Sequence, residues 1–162
     1  MGIFSRIKNF ITGGAAEVSV VFEKRTTDGS STIRLFVTAF AKDDCKIKEV
    51  YLQVRGRETY KKRVQHTSTD SNGTVTTTHS DDTHYDIHYD STLKLAKEIT
   101  LNKGVQNKWL AEFEVPPGAV PTFHGKDCFM KWEVQAGLDM PGNDPDSGWV
   151  EFLLSKKVEN VL

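Results

Sequence analysis

The sequence predicts an all-β domain, two antiparallel sheets packed as a sandwich, with a short amphipathic helix at the N-terminus. Apolar residues alternate with polar ones in several separate runs, the period of strands with one face in a core. Turn chemistry punctuates those runs at Asp28-Gly29-Ser30, Asn72-Gly73, Pro116-Pro117-Gly118 and Pro141 to Asp146. No helical-period run separates successive strands, as a parallel α/β sheet would require.

The first element differs from the rest. Ile3, Phe4, Ile7, Phe10 and Ile11 recur at helical spacing, Ser5, Arg6, Lys8 and Asn9 fall mostly opposite, and Gly13-Gly14 ends the pattern. Residues 1–14 therefore read as an amphipathic helix with a Gly-Gly hinge, and residues 15–162 as one sandwich domain. Arg6, Lys8 and Asn9 interrupt the apolar positions, so no continuous secretion-type segment forms. The five apolar side chains make a candidate contact face for a membrane surface, the sandwich itself or a second copy. The sixth residue is Arg6, where a myristoylation signal wants Ser or Thr.

After residue 15 the period becomes 2. Val18, Val20 and Phe22 alternate, then Ile33, Leu35, Val37 and Ala39, then Ile47 and, one residue out of phase, Val50, Leu52 and Val54. That slip predicts a β-bulge. Trp109, Ala111, Phe113 and Val115 follow, then the long row Cys128, Met130, Trp132, Val134, Ala136 and Leu138, and last Val150, Phe152 and Leu154. On this alternation Trp109, Trp132 and Cys128 belong to the core. Residues 64–83, rich in Ser, Thr and Asp, form either a long exposed hairpin or a loop.

Composition narrows the function. With 21 basic and 22 acidic residues the net charge is -1, which lacks the field that draws a protein onto nucleic acid. Two cysteines without CxxC spacing fit a reducing, cytoplasmic setting, in which the Asn72-Gly73-Thr74 sequon is silent. No nucleophile elbow, phosphate loop, dinucleotide fingerprint or zinc signature occurs, so neither an enzyme nor a cofactor is expected.

The histidines are the main chemical oddity. An Asn72-Gly73 two-residue turn would pair Ser71 with Thr74 and, further out, His66 with His79. A second turn at Asp81-Asp82 would pair His79 with His84, with Asp86 and His88 on the face of His84. Strands ~4.8 Å apart would then bring His66, His79 and His84 into a row able to hold zinc, nickel or copper. Against it, Asp-Asp is a poor turn pair, and a solvated Thr-rich face is the simpler reading. Asp139, Asn143, Asp144 and Asp146 form a second cluster, read as a turn bonding its own backbone in preference to a calcium loop.

Three segments together resemble the arrestin-like, immunoglobulin-like sandwich shared by arrestins, the arrestin-like retromer subunit and bacterial sporulation-control proteins. They are Lys46 to Glu58 (KIKEVYLQVRGRE), Phe113-Glu114-Val115-Pro116-Pro117 with its Pro/Gly continuation to Gly125, and Met130 to Gly142 (MKWEVQAGLDMPG). The resemblance spans residues 17–155. It implies a non-enzymatic adaptor or regulator that offers sheet edges and loops to protein partners. Arrestins pair two such sandwiches and this chain has room for one, so the resemblance also implies self-association or a partner subunit. A metal-binding module built on the histidines and a peripheral membrane module built on the helix are the competing readings.

Overall fold

The computed structural model describes residues 14–142 and 144–156. The predicted N-terminal helix and its contact residues Ile3, Phe4, Ile7, Phe10 and Ile11 lie outside them. Nine strands make up the described chain: β1 (Ala16–Phe22), β2 (Thr26–Thr27), β3 (Ile33–Ala41), β4 (Cys45–Thr69), β5 (Val75–Leu101), β6 (Gln106–Phe113), β7 (Phe123–His124), β8 (Cys128–Asp139) and β9 (Val150–Leu154).

They form two sheets. The smaller has the order β1-β3-β6, and the larger runs β2-β9-β8-β4-β5 with β7 beside β8. All pairings are antiparallel except β2 with β9, a two-residue parallel contact that the sequence pattern gave no sign of.

The alternating residues meet between the sheets. Leu35, Val37 and Ala39 of β3 are fully buried, as are Val50, Leu52 and Val54 of β4 and Met130, Trp132, Val134, Ala136 and Leu138 of β8. Aromatic rings join the layers: Phe152 of β9 lies 5.7 Å from both Phe22 and Phe113, and Trp132 lies 6.1 Å from Phe152. Fully burying one such aliphatic or aromatic side chain stabilises the fold by roughly 1.5–3 kcal/mol.

The predicted slip in β4 is present. Ile47 faces Ile99 and Glu49 faces Lys97, while Glu98 between those partners takes a positive φ of 48°. Two register shifts follow, between Val50 and Tyr51 and between Gly56 and Arg57, leaving Leu95 and His88 as extra residues on β5. Each bulge turns β5 over relative to β4. Tyr89 therefore packs inward, 5.9 Å from Trp132, whereas Ile87 and Tyr85 lie on the outer face and are 44% and 64% exposed.

Candidate functional site

The larger sheet outgrows the sandwich. β8 accompanies β4 from Glu49 to Tyr60, where Cys128 is its last paired residue, and the Lys61 amide closes the ladder on the Asp127 carbonyl at 2.8 Å. Beyond that rung, Lys61–Thr69 pairs only with Val75–Thr83, an antiparallel ribbon about 30 Å long. The Ser/Thr/Asp-rich stretch is thus a hairpin and not a loop.

The ribbon's register differs from the one expected. Its tip carries no two-residue turn at Asn72-Gly73. The Asp70 carboxylate accepts hydrogen bonds from the Asn72 amide (2.9 Å) and the Thr74 amide (2.8 Å), the Asp70 amide donates to the Thr74 carbonyl (3.0 Å), and Gly73 takes φ 79°. This is a three-residue loop with a left-handed glycine, and its extra residue shifts every rung by one. His66 therefore faces Thr78 and His79 faces Gln65, which puts the two imidazoles on opposite faces. Asp81 and Asp82 form no turn: they lie inside β5, opposite Arg63 and Lys62, a cross-strand charge match that suits a continuous strand.

The expected row of His66, His79 and His84 is accordingly not brought together. His66 instead bonds the Ser80 hydroxyl at 2.9 Å, and His84 stacks on Tyr60 with ring centres 5.9 Å apart. Among the described residues no group of three His, Cys, Asp or Glu side chains is placed to share an ion. In the second cluster, Asp144 accepts from the Met140 amide at 3.1 Å and Asp146 from the Gly148 amide at 2.7 Å, the self-bonded turn expected of it, with Asn143 outside the described residues. Burial, followed by the charges of Asp146, Asp144 and Asp139, raises the pKa of the neighbouring Tyr51.

At the hairpin's base the two faces differ chemically. On the inner face, past the end of the core, Glu58 joins two groups: the Cys128 thiol donates to its Oε1 at 3.1 Å, and its Oε2 lies 2.7 Å from His88 Nε2. Those two hydrogen bonds, Cys128 first, lower the Glu58 pKa. The same thiol–carboxylate contact raises the pKa of Cys128, so the sulfur is a protonated donor and a poor nucleophile. Asp86 lies opposite Glu58, and its charge raises the Tyr60 pKa.

The outer face is aromatic and cationic. Tyr85 and Ile87 stand on it, with Phe129 stacked against His124 at 6.2 Å and Lys131 Nζ 5.3 Å from the Phe129 ring. Deeper in, Glu133, only 4% exposed, accepts Arg55 at 2.6 and 3.1 Å and lies 3.7 Å from Arg57, while the Trp149 ring covers the Arg55 guanidinium at 3.7 Å. The Arg57 Nε is buried with no partner. No local sequence pattern marks this network. It follows from the β4–β8 register, which sets Arg55 opposite Glu133.

β5 ends the sheet order, so its 27 residues meet a neighbouring strand on the β4 side alone, and among the described residues no strand pairs with its other edge. Among the described residues no helix is long and apolar enough to cross a membrane.

The model of the arrestin (or S-antigen) N-terminal domain matches residues 32–160. Among solved structures, Spo0M, the sporulation control protein of Bacillus subtilis, superposes with a TM-score of 0.59 at 18% identity, over 91% of this chain and 50% of that one. The chain thus spans about half the length of that protein, and the likeness is one of fold. The alkylpurine DNA glycosylase AlkC of Pseudomonas fluorescens, solved bound to DNA containing an abasic site analog, reaches a TM-score of 0.46 at 14% identity over 87% of this chain and 30% of that one, too slight a likeness to bear on function. No curated protein matches. The family match takes in every strand from β3 to β9, and the chain belongs to the arrestin N-terminal-domain family.

Proposed function

We propose that this chain is a non-enzymatic adaptor or regulator that binds a protein partner by strand addition to the free edge of β5. The carrying observation is the open edge itself, together with Tyr85 and Ile87, which stand exposed on the strand where an added strand would lay its side chains. Backbone hydrogen bonds along such an edge supply affinity, and alternate side-chain contacts supply specificity. Membership of the arrestin family supports the reading. So does the state of Cys128, the half-buried thiol beside the hairpin, which is held protonated by Glu58.

The test is capture from the native host with the full chain as bait, compared with Tyr85→Lys/Ile87→Lys. Both positions are exposed, so the variant keeps its thermal midpoint within about 2 °C. The expected result is a specific partner retained by the wild type and lost by the double variant. Capture of the same partner by both proteins, or of nothing above background by either, overturns the proposal.

A further inference from the structure

Past Tyr60 the ribbon of β4 and β5 pairs with no third strand among the described residues. Two strands so placed are marginal on their own, and three or more make a stable sheet. From Val75 to Ile87 the register of β5 is unbroken, so what its side chains would meet across an added strand can be read from their order. Val75, His79, Asp81, Tyr85 and Ile87 share the outer face, and all are exposed. Ser80 and Asp82 lie on the inner face, where the Ser80 hydroxyl bonds His66 and Asp82, each at 2.9 Å.

We infer that the strand added to β5 is β5 of a second copy of this chain, antiparallel to the first about a two-fold axis at Ser80. The inference rests on the strand-addition reading and names its partner. An axis normal to the sheet keeps each face on its own side, so outer-face residues oppose only outer-face residues. With the axis at Ser80, Tyr85 faces Val75 of the second copy, Thr83 faces its Thr77 and Asp81 faces its His79, and the symmetry makes each contact twice. An aromatic ring against a β-branched side chain, and a carboxylate against an imidazole, are favourable directly opposed pairs. On the inner face Asp82 meets Thr78 of the second copy, so no two carboxylates oppose each other. Other positions of the axis do worse. At Asp81 or Asp82 it sets a carboxylate against its own copy, at His79 it leaves Tyr85 opposite Gly73, and at Thr83 it carries Val75 past the bulge at His88. Antiparallel pairing also lays the tip of each hairpin beside the base of the other, so the two sandwiches stand at opposite ends of the joint sheet and do not collide. Each copy thereby supplies the strand that the other's ribbon lacks.

The experiment uses the purified full chain alone, in sedimentation over a dilution series and in oxidative cross-linking. The expected species is a dimer that dissociates on dilution and is lost in Tyr85→Lys/Ile87→Lys. His79→Asp sets two like-charge pairs in place of two favourable ones and should weaken the dimer about tenfold. His79→Asp/Asp81→His exchanges the two groups and should restore it, which a merely local disturbance of the hairpin would not do. In a Cys128→Ser background, with Cys45 buried, Ser80→Cys should cross-link the copies. Thr78→Cys, whose counterpart lies about 13 Å away along the strand, should not. A chain that stays monomeric at millimolar concentration overturns the inference. So does a dimer indifferent to His79→Asp, or one cross-linked through Thr78→Cys in place of Ser80→Cys. The strand-addition reading fails separately: a monomeric chain whose β5 edge still captures a different host protein refutes the second copy alone.

Discussion

Gly56 sits opposite Trp132 in the core, five residues before the free ribbon begins at Lys61, and adding one methyl group there tests how tightly that end of the core is packed. A Cβ on Gly56 would lie 2.9, 3.0 and 3.1 Å from Cη2, Cζ2 and Cζ3 of Trp132. Carbon atoms in good contact sit about 3.5–4.0 Å apart, so the indole must retreat by about half an ångström or more. It has little room. Trp132 is 1% exposed, its Nε1 donates to the Val120 carbonyl at 2.8 Å, and Phe152 and Tyr89 sit 6.1 and 5.9 Å from its ring. Overpacking of this kind costs about 1–3 kcal/mol. Alanine recovers about 0.5–1 kcal/mol of backbone entropy relative to glycine. Gly56→Ala is therefore expected to lose up to about 2.5 kcal/mol, centred near about 1.3 kcal/mol, which is a fall in Tm of about 3–5 °C at the centre of that range. Urea unfolding followed by tryptophan fluorescence should show a lower midpoint with an unchanged m-value. A variant as stable as the wild type would refute the packing account.

Two further perturbations act locally. Asp70→Ala removes the acceptor for two amides at the hairpin tip, and a loss of about 1 kcal/mol should speed hydrogen exchange about fivefold in residues 66–78. The Tm should hold, because the ribbon beyond Tyr60 pairs with no third strand; a parallel fall in Tm would show that the ribbon is part of the cooperative fold. Glu58→Gln replaces the carboxylate that accepts the Cys128 hydrogen bond with a neutral, weaker acceptor and removes its charge, so alkylation of Cys128 at pH 8 should become faster, and a slower rate would refute the assigned contact. The pH dependence has a definite sign. The folded-state pKa of Glu58 is lowered, so its contribution is present above the ordinary carboxylate pKa and is lost as pH falls through the lowered value. The stability difference between wild type and Glu58→Gln should shrink on acidification.

The strands that line the core were legible because each keeps one phase. β3 and β8 bury every second residue without interruption, and their inward rows could be read directly from Leu35-Val37-Ala39 and from Met130 to Leu138. β5 was not legible, for the same physical reason run in reverse. Its phase breaks at His88, at Leu95 and at Glu98, so Tyr85, Ile87 and Tyr89, which share a face in a regular strand, are divided between two. The hairpin register failed on one residue. Asn72-Gly73 is the sequence signal of a two-residue turn, but the Asp70 side chain offered the backbone a competing set of hydrogen bonds and the loop grew by one. The outer-face network of Arg55, Arg57, Glu133 and Trp149 needs the register between β4 and β8, two strands far apart in sequence, and no local pattern encodes it.

The unequal length of the sheets gives the edge its functional meaning. Strands of the smaller sheet run 7, 9 and 8 residues, whereas β4 and β5 run 25 and 27. Ordering the residues past Tyr60 costs about 1–2 kcal/mol each in backbone entropy, and two strands with no core between them return little of it. A third strand on β5 would add a ladder of hydrogen bonds to chain that is already extended. The bulges limit where this can happen. At His88 and Leu95 the edge is kinked and its pairing groups fall out of step, which protects the part of β5 nearest the core from unwanted association. Val75 to Ile87 is the uninterrupted stretch, and it carries Val75, Tyr85 and Ile87, the exposed apolar residues of the strand. Partner binding should therefore slow hydrogen exchange in residues 75–87 and leave residues 89–101 unchanged. Protection confined to the second stretch would place the partner elsewhere than on this edge.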